Sequence, residues 1–203
     1  TSRGLGDVYK RQGHDVELAH GFLHSEGHIE KASDVHEARY CAGASVDGRN
    51  PYNLLDVELS NPHPLTLADL RLTTTTSACG VCGTSSIEAL MKQTRYEIPQ
   101  VPVVPGVVAK LPSALSAEQK QFRKTGGIHA AGAFTFDGEP IVVREDVGRH
   151  NAADKVIGHL LMEDKLPAND LILVMSSRAS FELVNKAAMA GFGMLVAVSA
   201  ASS

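Results

Sequence analysis

Residues 171–198 carry the pattern that most restricts the fold of this 203-residue chain. Leu171 to Met175 is an unbroken apolar run, Phe181 to Ala190 has helical spacing, and Met194 to Val198 is apolar again. A strand, a helix and a second strand within about 30 residues make a βαβ unit, so part of the sheet must be parallel. Asn151 to Leu161 predicts a preceding helix. Ala131 to Phe136, Asp137-Gly138 and Ile141 to Val143 predict a hairpin. The fold class expected is α/β.

The rest of the chain divides around this core. Thr1 to Gln12, TSRGLGDVYKRQ, has no apolar signal-peptide core and resembles translated adapter sequence, so residues 1–12 are set aside as non-native. Residues 13–98 are expected to form a smaller α+β part: an amphipathic helix from Asp15 with Asp15 as N-cap, a hairpin from Ala38 to Ala44 and Leu54 to Ser60, a loop with four consecutive threonines, and a helix opened by the Ser85 and Glu88 pair. Pro99, Pro102, Pro105 and Pro112 mark residues 99–115 as a linker. Residues 116–203 form the α/β part, starting with a capping box at Ser116 and Gln119 whose helix stops at Gly126-Gly127. The chain ends directly after an apolar run, which reads as a cut.

Composition narrows the function classes. With 19 basic against 23 acidic residues and ten aromatics, none of them Trp, there is no basic block and no base-stacking platform, so nucleic-acid binding is disfavoured. No apolar run has the length of a membrane span. Three cysteines make no disulfide framework, which points to a reducing cytoplasm.

Four segments could carry chemistry. In Ser77-Ala-Cys79-Gly-Val-Cys82-Gly83, two thiols three positions apart can share a metal, form a disulfide, or divide the roles of nucleophile and partner. A following helix N-terminus would favour the thiolate. A structural zinc site needs two more ligands, and there is no second CxxC; Cys41 reads as a buried small hydrophobe. His129, after Gly126-Gly127, is a candidate ligand or acid–base group, or a core histidine. Asp146, Arg149 and His150, at a strand-to-helix junction, suit a polar or anionic ligand, or an ordinary capped helix. Ser176, Ser177, Arg178 and Ser180 follow a buried-type strand and open a helix, where open α/β sheets bind ligands. His20, His24 and His28 are spaced to share a helix face, without the acidic residue of a zinc-binding helix motif.

In this order the segments resemble the formate dehydrogenase accessory protein family FdhD, a sulfur-carrier family. The matching pieces are Asp15 to Gly27, Ser77 to Gly83, Thr125 to Ala131, Glu145 to Lys155, Ser176 to Glu182 and Val196 to Ala200. The resemblance implies a cytoplasmic sulfurtransferase with a cytidine-deaminase-like mixed sheet and flanking helices. It implies a homodimer that takes sulfur from a cysteine desulfurase and passes it to the molybdenum bis-guanine-dinucleotide cofactor of formate dehydrogenase. By the same resemblance Cys79 carries the persulfide and Cys82 is its partner, while His129, Asp146, Arg149, His150, Ser176, Ser177, Arg178 and Ser180 bind the cofactor. The family's first strands and its C-terminal glycine- and arginine-containing segment are absent here.

Two other readings compete. A zinc-dependent deaminase needs a glutamate two positions after its histidine, and Ala131 stands there. A binding module that chaperones the cofactor without using its thiols would keep its function in Cys79→Ala.

Overall fold

The computed structural model describes residues 13–40, 55–60 and 95–199. Its centre is a four-stranded sheet of β3 (His129–Thr135), β4 (Pro140–Asp146), β5 (Leu171–Arg178) and β6 (Met194–Ser199), in the order β4-β3-β5-β6. β3 runs antiparallel to both of its neighbours, and β5 and β6 are parallel. The predicted hairpin and βαβ unit are therefore both present. The connecting helices are α5 (Arg149–Met162), after β4, and α6 (Phe181–Met189), between β5 and β6.

Strand alternation sorts the core into two layers. Ala131 and Ala133 of β3, with Leu171, Leu173 and Met175 of β5, pack against Ala152, Val156 and Leu160 of α5 and Leu183 of α6. The intervening residues Ala130, Phe134, Ile172 and Val174 face Leu111 and Leu115 of α3 (Leu111–Glu118). Both faces of the sheet are covered, as a parallel pair requires.

A further helix, α1 (Asp15–Ser25), lies on the outside of α5. The two helices meet backbone to backbone: a Cβ on Gly21 would overlap the Asp154 carbonyl, and one on Gly158 would overlap the Glu17 carbonyl. Glu17 ties the start of α1 to the sheet, accepting from Arg144 Nε at 2.6 Å and Nη2 at 2.8 Å. His14 and His159 stand 3.1 and 3.2 Å from the same carboxylate. A small antiparallel pair, β1 (Val35–Tyr40) and β2 (Leu55–Leu59), joins α1 through Tyr40, whose hydroxyl donates to Asp15 at 2.7 Å. At the sheet edge, Arg144 Nη1 donates to the Val143 carbonyl and Lys155 Nζ to that of Glu145, so two outer carbonyls of β4 are already occupied.

Several boundaries differ from the sequence expectation. The proline-rich stretch contains the short helix α2 (Pro105–Val108) and the start of α3, with proline in the first turn of each. Ser116 therefore lies inside a helix instead of opening one. The later part of the single helix expected from Ser116 to Gly126 is a separate helix, α4 (Phe122–Thr125), and its cap is tertiary: the Glu145 carboxylate accepts from the Gln121 and Phe122 amides at 2.7 and 2.8 Å. Gly126, at φ 66°, ends α4 as expected. Asp15 is the first residue of α1, its N-cap position being taken by His14 at φ 62°. His28 lies beyond the end of α1, and so does not share a helix face with His20 and His24. Among the described residues no helix is long and apolar enough to cross a membrane. The expected features at Cys41, the threonine run, the CxxC loop and the helix after it lie outside the described residues.

The α1–α5 contact leaves no room for a methyl group, so Gly21→Ala should destabilise by about 1–3 kcal/mol, read as a lower urea midpoint. Burial acts to raise the Glu17 pKa, but the Arg144 hydrogen bonds and charge, with His14 and His159, hold it below the ordinary 4.5. Its stabilisation is therefore complete above the unfolded value and lost as pH falls through the lowered folded value. Glu17→Gln should reduce the difference in urea midpoint between pH 7 and pH values below 4.5; an unchanged difference would assign the acid sensitivity elsewhere.

Candidate functional site

The sheet topology assembles the site. β4 and β5 both run antiparallel to β3, so their C-terminal ends, the starts of α5 and α6, and the N-terminus of β3 share one end of the sheet. His129 opens β3 directly opposite Asp146, the last residue of β4. This is the crevice outside the strand ends where α/β sheets bind ligands.

Ser176 sets how the crevice opens. The β3–β5 pairing extends up to Ala131 opposite Met175, and at the next position the Ala130 amide donates to Ser176 Oγ, 2.8 Å away, in place of a backbone carbonyl. The β5–β6 register also shifts between Met175 and Arg178. A bulge there re-aims the side chains that follow. Ser176 and His129 border a pocket of about 410 Å³ on the α3 side, with the buried Gln119 and the more exposed Phe122 and Val198 in its walls. A larger hollow of about 520 Å³ runs along the β4 edge and holds none of the sequence-predicted site residues.

On the opposite side two helix N-termini meet. Among the described residues, neither N-cap residue, Gly148 of α5 or Ser180 of α6, makes a side-chain hydrogen bond to its own helix. Ser180, the N-cap residue of α6, instead has its hydroxyl 3.4 Å from His150 Nε2, which is also 3.6 Å from Glu182 Oε2. The positive ends of two helices favour an anion. Burial, followed by the positive charge of Arg149, lowers the pKa of His129 and of His150. Asp146 opposes this shift at His129, and Glu182 opposes it at His150.

Buried ion pairs hold the frame. Lys155 Nζ is 2.7 Å from Asp146 Oδ2, while Asp146 Oδ1 accepts from the Gly148 amide at 2.8 Å and from Asn151 Nδ2 at 3.1 Å. Lys186 Nζ donates to Asp154 Oδ1 at 2.8 Å, and Ser25 Oγ donates to the same oxygen at 3.2 Å, joining α6, α5 and α1. Burial raises the Asp154 pKa against the pull of Lys186 and Ser25.

The structure thus gathers His129, Asp146, Arg149, His150, Ser176, Ser177 and Ser180 at one end of the sheet. Ser177 is buried, with its hydroxyl turned to the Arg178 carbonyl at 3.3 Å. Arg178 is exposed, opposite Ser199 in the register. Ala131 is fully buried in the core, under α5. Cys79 and Cys82 lie outside the described residues. Sequence reading gave no site role to Glu182, Lys155 or Lys186. Glu182 was recoverable as a first-turn acid two positions after Ser180, whereas nothing local marks a lysine that will be buried.

Ser176→Ala would leave the buried Ala130 amide without its acceptor, a loss of about 1–3 kcal/mol. Amide exchange at Ala130 should accelerate relative to the neighbouring β3 amides; unchanged exchange would show that another group takes over.

Comparison with known proteins places this arrangement. The model of the FdhD/NarQ family matches residues 3–203, including most of the segment set aside at the N-terminus. A curated sulfur carrier protein FdhD from Corynebacterium efficiens is 57% identical over 204 residues, covering 98% of this chain and 74% of that one. Its namesake from Thermoplasma volcanium is 40% identical over 205 residues, covering 99% and 71%. A crystal structure from Desulfotalea psychrophila, described as a formate dehydrogenase accessory protein, superposes with a TM-score of 0.61 at 22% identity, covering 94% of this chain and 66% of that chain. The fold is therefore shared with that structure, and the sequence match shows that this chain belongs to the FdhD/NarQ family.

Proposed function

We propose that the protein is a sulfur carrier that moves sulfane sulfur from a cysteine desulfurase to the molybdenum bis-guanine-dinucleotide cofactor of formate dehydrogenase, the cofactor being its substrate and not a resident group. The observation that carries the ligand part is the meeting of the α5 and α6 N-termini around Arg149, His150 and Ser180. This is a binding environment for phosphate, the charged part of a guanine dinucleotide. His129, Ser177 and Arg178 border the same strand ends, and Asp146 and Ser176 hold the backbone around them. The sulfur-carrier part is supported by the curated relatives of that name and by the Cys79 and Cys82 pair.

The transfer needs no net oxidant. The Cys79 thiolate attacks the terminal sulfur of a donor persulfide, the donor S–S bond breaks, and its electron pair leaves with the donor thiolate. Delivery reverses the roles: a nucleophilic acceptor takes the terminal sulfur and Cys79 departs as thiolate. Cys82 partners Cys79 in this exchange. The protein acts in the cytoplasm as a homodimer in this reading.

Incubation with a cysteine desulfurase and cysteine should add a reducible sulfur to the wild type and none to Cys79→Ala, as read by intact mass. Guanine nucleotides should slow hydrogen exchange around residues 146–150 and 176–180. Formate dehydrogenase maturation that survives loss of both Cys79 and Cys82 would instead favour a cofactor chaperone that does not use its thiols.

A further inference from the structure

The anion-binding end of α5 depends on a short turn, and the turn depends on a lysine that no ligand could reach. Lys155 is 1% exposed, one helical turn and more below Arg149 and His150, and its ammonium is held 2.7 Å from Asp146 Oδ2 and 3.3 Å from the Glu145 carbonyl. The other oxygen of Asp146 receives the Gly148 amide and the Asn151 side chain, which fixes the two-residue passage from β4 into α5. Both oxygens of Asp146 are thus engaged by the protein itself. The direction in which Arg149 and His150 leave the strand end follows from this bonding.

Burying a charged pair is costly unless every partner is in place, and a hydrophobic pair of similar volume is often as stable. Stability alone is therefore a weak account of an ion pair at this position. We propose that Lys155 is a positioning residue: by neutralising Asp146 inside the fold it keeps that carboxylate as the acceptor for Gly148 and Asn151, and so aims Arg149, His150 and the first amides of α5 at the bound anion. The proposal rests on the reading of this end of the sheet as a nucleotide-phosphate site, and it adds a residue that acts without touching the ligand.

The test uses the wild type, Lys155→Met and the double variant Asp146→Asn/Lys155→Met, with GDP as probe. Two quantities are measured: GDP affinity by calorimetry, and exchange of the Gly148 amide by NMR without ligand. Lys155→Met should weaken GDP binding by about tenfold or more, the scale typical of losing a residue that orients a binding group, and should accelerate Gly148 exchange. The double variant removes the stranded charge but keeps a side-chain oxygen for Gly148 and Asn151, so it should recover both quantities. A Lys155→Met protein that exchanges and binds like the wild type overturns the proposal, as does a double variant that regains its thermal stability without regaining either quantity. A wild type that binds no GDP overturns the nucleotide reading instead, and the exchange measurement then decides the role of Lys155 in the turn by itself.

Discussion

One antiparallel strand organises the molecule. β3 lies between β4 and β5 and runs against both, so every β-to-α turn of the sheet opens at the end where β3 begins. His129 is thereby set between the ends of β4 and β5, opposite Asp146 and close to Ser176. Because hydrogen-bond register fixes side-chain direction, a slip of one residue in β3 would turn the alanines that pack under α5 toward α3 and dismantle both core layers. The same register fixes the site.

Around that sheet the charges are placed as structural members. Glu145 caps α4 from a neighbouring strand, Asp146 holds the α5 entrance, and Asp154 joins three helices through Lys186 and Ser25. Each is buried or half-buried, and each has hydrogen-bonding partners, the condition under which buried charge is tolerated. His24 departs from this rule. It is fully buried, both of its ring nitrogens lack a hydrogen-bond partner among the described residues, and burial, assisted by the charge of Arg95, lowers its pKa to about 4. At neutral pH it is therefore an uncharged ring within the α1 contact. Arg95 in turn donates to the carbonyls of Ile29 and Gly27, securing the chain after the end of α1.

The sequence was legible where local rules act alone. The apolar runs of β5 and β6, the helices between and before them, and the turn at Asp137-Gly138 all rest on period and turn chemistry, and the structure has them. The boundary at Ser116 was misread because a capping box is a local signal, whereas the first-turn proline of α3 and the Glu145 carboxylate of β4 decided where those helices start. At the site, residue types indicated that Asp146, Arg149 and His150 belong together. They did not separate the aspartate, whose oxygens are taken by backbone, asparagine and lysine, from the arginine and histidine at the helix start.

What the sequence by itself determined is the α/β class, the parallel pair at its C-terminal end, the family, and the position of its two close cysteines, because each is written in neighbouring residues. The tertiary structure alone decided that His129 would face Asp146, that Ser180 would turn to His150 instead of capping its own helix, and that Lys155 would be buried. These depend on strand order and on contacts between residues far apart in the chain, and no local pattern encodes a desolvation cost that is offset only when distant partners meet.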